Sequence, residues 1–177
     1  MKISQYENCI IRRHGTFFGV YSVNNNPRLK EQLREITDYL AEFDLVVGNF
    51  ESPLSILKKT NGAKSAYLSS DVENVEILRW LHVNAVNLAN NHLYDYGSEG
   101  FETTIKELDR LCIGHFGTNG EVWKFTIDDN KILFSGYCCY STNPLRLAKK
   151  QGGKGINKYN VRDVEQMMKK NVGCANC

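Results

Sequence analysis

From residue 27 onward the chain switches between two apolar spacings. Leu29, Leu33, Ile36 and Leu40 recur at helical steps, predicting a helix to about Phe43, with Asn26 as N-cap and Pro27 in the first turn. Residues 44–50, Asp-Leu-Val-Val-Gly-Asn-Phe, are too short and too uniformly apolar for a surface helix. They read as a strand buried on both faces, with Pro53 stopping the element. After a Lys-, Gly- and Asn-rich loop over 55–66, a second helix starts at Ser70 or Asp71 and turns Val72, Val75, Leu78 and Leu81 inward. Residues 83–89 form a second buried strand. A third helix follows Gly97, with Ser98 as its cap and Phe101, Ile105 and Leu108 on its inner face.

Towards the C-terminus the pattern changes. Residues 122–127 and 131–137 flank Asp128-Asp129-Asn130, the signature of an antiparallel hairpin. A last helix over 160–171 offers Val161, Val164, Met168 and Val172 as its apolar positions. Residues 1–25 carry only short apolar stretches at 9–11 and 17–21, and no internal repeat occurs. Strand, helix, strand, helix, with a hairpin appended, predicts an α/β fold. Its mostly parallel sheet would be covered by helices on both faces, in a single domain over 1–177.

Composition narrows the class. A chain of 177 residues with 42% hydrophobic and 24% charged positions can bury one ordinary core. The formal net charge is only +2. Its one basic run, Arg146, Lys149, Lys150 and Lys154, lies in a Gly-containing loop, so no nucleic-acid footprint is expected. The six cysteines, at 9, 112, 138, 139, 174 and 177, lack the density of a disulfide framework, and reduced thiols are expected. Cys174 and Cys177 form a C-x-x-C without the second pair that a zinc site needs. No apolar stretch approaches the about 20 residues that span a bilayer, and residues 1–20, interrupted by Glu7, Arg12, Arg13 and His14, lack a signal-peptide core. A cytoplasmic protein is expected, with association to the envelope left open.

The chemistry gathers at strand ends. The strands at 44–50 and 83–89 are parallel by the crossover rule, so their carboxyl ends share the edge where open α/β sheets bind ligands. Asn49, Glu51, Asn90, Asn91, His92 and Asp95 therefore converge. Carboxylate, amide oxygen and imidazole together suit a hard or borderline divalent cation: Mn, Fe or Zn. Blander readings stand beside this one. Asn90 and Asn91 can simply close a turn, Glu51 can be an exposed carboxylate before a Pro turn, and His92 can be a packed imidazole. His82 ends a helix, where its charge suits the dipole. His14 and His115 carry no assignment, and Tyr67, Trp80, Trp123 and Phe134 are core or half-buried aromatics.

Two blocks carry a resemblance. Ala-Glu-Phe-Asp-Leu-Val-Val-Gly-Asn-Phe-Glu-Ser-Pro-Leu at 41–54 is followed by Val-Asn-Leu-Ala-Asn-Asn-His-Leu-Tyr-Asp-Tyr-Gly-Ser-Glu-Gly at 86–100, then by a Thr-containing helix. In order and spacing they resemble the bacterial capsule synthesis proteins of the CapA or poly-γ-glutamate type, over residues 27–137. That family in turn resembles the calcineurin-like metallophosphoesterases. The resemblance implies layered sheets flanked by helices and a site for two divalent metal ions. It implies Asn91 as a metal ligand, Glu51 with Asn49 beside it in the place of a bridging carboxylate, and His92 near the scissile bond. Asp95 would orient His92 or hold the loop.

The chemistry implied is metal-assisted hydrolysis or transfer on a phosphate-containing small substrate or an anionic polymer, with His92 protonating the leaving group. Two family features are absent from the sequence: a strand followed by Gly-Asp, and a His-Trp-Gly-x-Glu block. An incomplete domain is therefore expected, truncated or degenerate. The alternatives are a non-catalytic binding or scaffold module of envelope polymer assembly and a small-ligand binder without metal.

Overall fold

The structure, a computed structural model, describes residues 28–56, 67–139 and 155–172. The expectations for residues 1–27, for the basic run and for Cys174 and Cys177 lie outside the described residues. The chain divides into two compact units: one holds the residues up to Asn87 together with His92–His115, the other Leu88–Asn91 and the residues from Phe116 onward.

The first unit opens with two short helices, α1 (Leu29–Gln32) and α2 (Arg34–Leu40). One longer helix was the expectation; the backbone instead breaks at Leu33, whose ψ of −2° departs from helical geometry. Ile36 and Tyr39 remain 51% and 44% exposed, so little packing energy reinforces a segment whose Ile-Thr-Asp-Tyr run has weak helix propensity.

Strand β1 (Val47–Asn49) is shorter than the predicted 44–50 and half-buried rather than enclosed on both faces. The second helix begins as a 3-10 turn over Val72–Val75 and continues as α3 (Glu76–Trp80), with Val75, Leu78 and Leu81 buried as their spacing demands. Strand β2 (Ala85–Asn87) lies parallel to β1 in the register Val47↔Ala85, Gly48↔Val86, Asn49↔Asn87. The Asn84 side chain reinforces the pairing by accepting the Val46 N–H at 2.7 Å.

Helix α4 (Gly97–Arg110) keeps Phe101 and Leu108 buried, while Ile105 is half-buried. Its N-cap position is Tyr96 rather than Ser98, because Gly97 turns the chain with a φ of 70° and already begins the helix. Strand β3 (Gly114–Phe116) completes a sheet of order β1-β2-β3. At three residues it is too short for apolar periodicity to announce. The result is α/β with a parallel sheet flanked by helices.

In the second unit β4 (Trp123–Ile127) and β5 (Asn130–Phe134) form the expected antiparallel pair, from Trp123↔Phe134 to Ile127↔Asn130. Asp128 and Asp129 turn the corner at φ values of 45° and 64°, the left-handed conformations of a two-residue hairpin loop. Trp123, Phe134 and Phe116 stack against one another at centroid distances of 5.4 and 5.7 Å. Leu88 N–H donates to Phe116 O at 2.8 Å, fixing the start of the 88–91 segment. Helix α5 (Val161–Val172) departs from its pattern: Val161 and Met168 are 56% and 54% exposed. No helix among the described residues is long and apolar enough to cross a membrane.

Candidate functional site

The paired last residues of β1 and β2 are both asparagines, and a parallel register puts them side by side on one face. Asn87 Nδ2 donates to Asn49 Oδ1 at 3.2 Å, and Asn49 Nδ2 donates to Glu51 Oε1 at 2.8 Å. The result is a short polar relay across the carboxyl end of two strands, with a carboxylate at its end. Asn49 thereby orients Glu51. Asn87 extends the relay and was not foreseen; its one signal in the sequence is an amide at the end of an apolar run.

Residues 50–55 are held on two sides. Ser55 N–H donates to Ser70 O and Ser70 N–H to Pro53 O, at 3.2 and 3.0 Å. From α4, Thr104 Oγ1 accepts the Leu54 N–H at 2.8 Å and donates to Gly100 O at 2.7 Å, while Ser55 Oγ donates to Glu99 Oε2 at 2.9 Å. Thr104 is fully buried. A buried backbone N–H without such an acceptor would cost about 1–3 kcal/mol, so Thr104 is a structural support for the segment that carries Glu51. Its place on the apolar face of α4, between Phe101 and Leu108, is the trace it leaves in the sequence.

His92 and Asp95 form the other cluster. Nδ1 of His92 lies 2.8 Å from Oδ2 of Asp95, and Leu68 N–H donates to that same oxygen at 2.8 Å. Asp95 N–H donates to His92 O at 2.8 Å, which closes the turn that brings the two side chains together. The carboxylate is wholly buried and the imidazole 15% exposed. A buried carboxylate on Nδ1 fixes the ring's orientation. Asp95 also stands just ahead of the α4 N-terminus, whose dipole favours a negative charge.

The loop between Asp95 and α4 is anchored by a stacked pair. Tyr94 lies 4.9 Å from Phe101, centroid to centroid, and burial, aided by the negative charge of Glu102, pushes its phenol up to about 12. It stays neutral and structural at ordinary pH. Asn90 and Asn91 belong to the second unit; Asn90 is buried with its N–H donating to Leu88 O at 2.9 Å, and Asn91 is half-buried. The structure thus joins Asn49 to Glu51 and His92 to Asp95, each within the first unit.

Within the first unit the donors fit a hard or borderline divalent cation in kind, since Glu51 offers a carboxylate and Asn49 an amide oxygen. They fall short in number. Among the described residues no group of three or more His, Cys, Asp or Glu side chains could hold a metal ion. His115, unassigned from sequence, sits 3.1 Å from Asp109 through Nε2, on β3 rather than beside either cluster.

The profile of the bacterial capsule synthesis protein PGA_cap family matches residues 17–174 of this chain. The chain belongs to that family. Two curated relatives agree. The capsule biosynthesis protein CapA of Bacillus anthracis is 36% identical over 94 residues, covering 51% of this chain and 23% of that protein. The PGA biosynthesis protein CapA of Bacillus subtilis (strain 168) is 38% identical over 65 residues, 36% of this chain and 17% of that protein. The matched stretches therefore span less than a quarter of either relative. As a PGA_cap member, the chain carries its two polar clusters within residues 41–54 and 86–100, the two blocks that resemble the family in sequence.

Proposed function

We propose that this chain acts in the synthesis of a capsule or poly-γ-glutamate polymer, through a phosphoesterase-like site at the carboxyl ends of β1 and β2. The reaction is hydrolysis or transfer at a phosphate ester or at a linkage of an anionic polymer. One observation carries the reading: an imidazole held by a fully buried carboxylate at a strand end. That arrangement is costly unless the imidazole's basicity is used, and it suits a general acid.

His92 would hold a proton at Nε2 and deliver it to the leaving oxygen or nitrogen. Asp95 keeps the ring in place. Glu51, oriented by Asn49, would offer its carboxylate to a divalent cation of the Mn, Fe or Zn kind, with further donors supplied from beyond this pair. A cation bound there supplies polarisation of the phosphoryl or acyl oxygen and a lowered pKa for bound water.

The shortfall of donors favours a second reading, a non-catalytic module of envelope polymer assembly that keeps the fold and part of the site. Hydrolysis of a phosphomonoester and of a γ-linked glutamate oligomer, measured with added Mn, separates the two. The enzyme reading expects turnover that falls about 100-fold or more in His92→Ala. A wild-type chain inactive on both substrates, with any of the three metals, would select the scaffold.

A further inference from the structure

The turn after β3 contains Asn119-Gly120, the dipeptide in which a backbone nitrogen is least hindered from attacking the side-chain amide before it. Both residues are exposed. Their φ values are 54° and 70°, and Glu121 N–H donates to Thr118 O at 3.0 Å, which closes the two-residue turn that Asn-Gly favours. In the left-handed region, where ψ is about +47°, Gly120 N lies across the Cα–C bond from the Asn119 side chain. The turn therefore keeps the nucleophile away from Asn119 Cγ.

A short segment of the same unit holds the turn in that state. Asn119 N–H donates to Gly155 O, and Gly155 N–H donates back to Asn119 Oδ1, both at 2.7 Å. Gly155 makes both bonds at a φ of 132°, a conformation open to glycine. Asn157 Oδ1 accepts the Gly120 N–H at 2.6 Å, and its Nδ2 donates to Gly136 O at 3.2 Å. Asn157 N–H donates to Gly117 O at 2.8 Å. The attacking nitrogen and the amide it would attack are thus each tied to residues 155–157.

We propose that Asn119 is a deamidation site gated by the segment 155–157. When the segment lets go, Asn119 rotates about ψ and Gly120 N bonds to Asn119 Cγ. The Cγ–Nδ2 bond breaks, and the amide nitrogen leaves as ammonia with the proton that Gly120 N gives up. A five-membered succinimide remains. Water adds at either ring carbonyl and opens it to aspartate or isoaspartate, so no other reactant is needed. Isoaspartate carries an extra methylene in the main chain, and its N–H and side-chain oxygen no longer match the Gly155 pair. The modification therefore makes the release permanent. This inference stands apart from the capsule reading, since it uses no residue of either polar cluster.

Peptide mapping by mass spectrometry, on the full chain incubated at mildly alkaline pH, tests the gate. Deamidation at Asn119 should run at least about tenfold slower in the folded chain than in urea, because only molecules with the segment released react. Asn157→Ala, which removes the acceptor of the Gly120 N–H and the donor to Gly136 O, should raise the folded-state rate about tenfold. Asn157→Asp keeps an oxygen for the Gly120 N–H and should stay closer to the wild type than to Asn157→Ala. Gly100→Ala lies in the first unit and controls for a general loss of stability; it should change the rate by less than about twofold. Circular dichroism checks that each variant is folded. Deamidation of the folded wild type as fast as in urea, an unchanged rate in Asn157→Ala, or equal acceleration in Gly100→Ala would overturn the proposal.

Discussion

Asp95 has no exposure to water, and two donors, His92 Nδ1 and Leu68 N–H, meet on one of its oxygens. Its contribution is therefore charge and placement together. Asp95→Asn should retain the Leu68 contact while losing the carboxylate that positions the imidazole, lowering turnover about 10- to 100-fold. Tyr94 gives a separate prediction at alkaline pH. Its phenol ionises near 10 in the unfolded chain and at about 12 when folded, so proton release favours unfolding across that window. Stability is untouched below pH 10 and falls as pH rises towards 12, and Tyr94→Phe should flatten that fall in denaturant titrations. At this scale the sequence marked the polar residues at the strand ends but not the hydrogen bonds that join them. Asn49, Glu51, His92 and Asp95 were legible because polar groups at the end of an apolar run are unusual. Asn87 and Leu68 were not, because their roles depend on strand register and on a backbone N–H that no side-chain pattern reports.

The elements explain how those residues are held. Helix α4 supports the segment after β1 through Thr104 and Glu99, and the two meet closely at Gly100. A Cβ added at Gly100 would lie 2.9 Å from Tyr96 Cβ, an atom too near the backbone to swing aside. Alanine is the better helix former by about 1 kcal/mol, yet the clash should outweigh it. Gly100→Ala should therefore lower stability by about 1–3 kcal/mol in urea unfolding, where a gain would contradict this packing. The hairpin and α4 were readable because their periods are long enough to declare themselves. Strands β1 and β2 were placed only roughly and β3 not at all, since pairing with neighbours, not local pattern, sets the ends of three-residue strands. Helix α5 follows its apolar pattern only in part: Val164 is half-buried as its spacing suggested, but Val161 and Met168 lie exposed.

For the molecule as a whole, the PGA_cap family match covers residues 17–174 and so includes both polar clusters. The matched stretches cover 23% and 17% of two CapA relatives, and among the described residues no group of three or more His, Cys, Asp or Glu side chains could hold a metal ion. Both facts suit a site whose remaining ligands come from outside the described residues. The most direct measurement is the binding of Mn to the purified full chain by electron paramagnetic resonance, with Glu51→Ala as the comparison. The account predicts saturable binding by the wild type that is lost, or weakened about 10- to 100-fold, in the variant. Failure of the wild type to bind Mn, or equal binding by Glu51→Ala, would contradict a metal site at the end of β1.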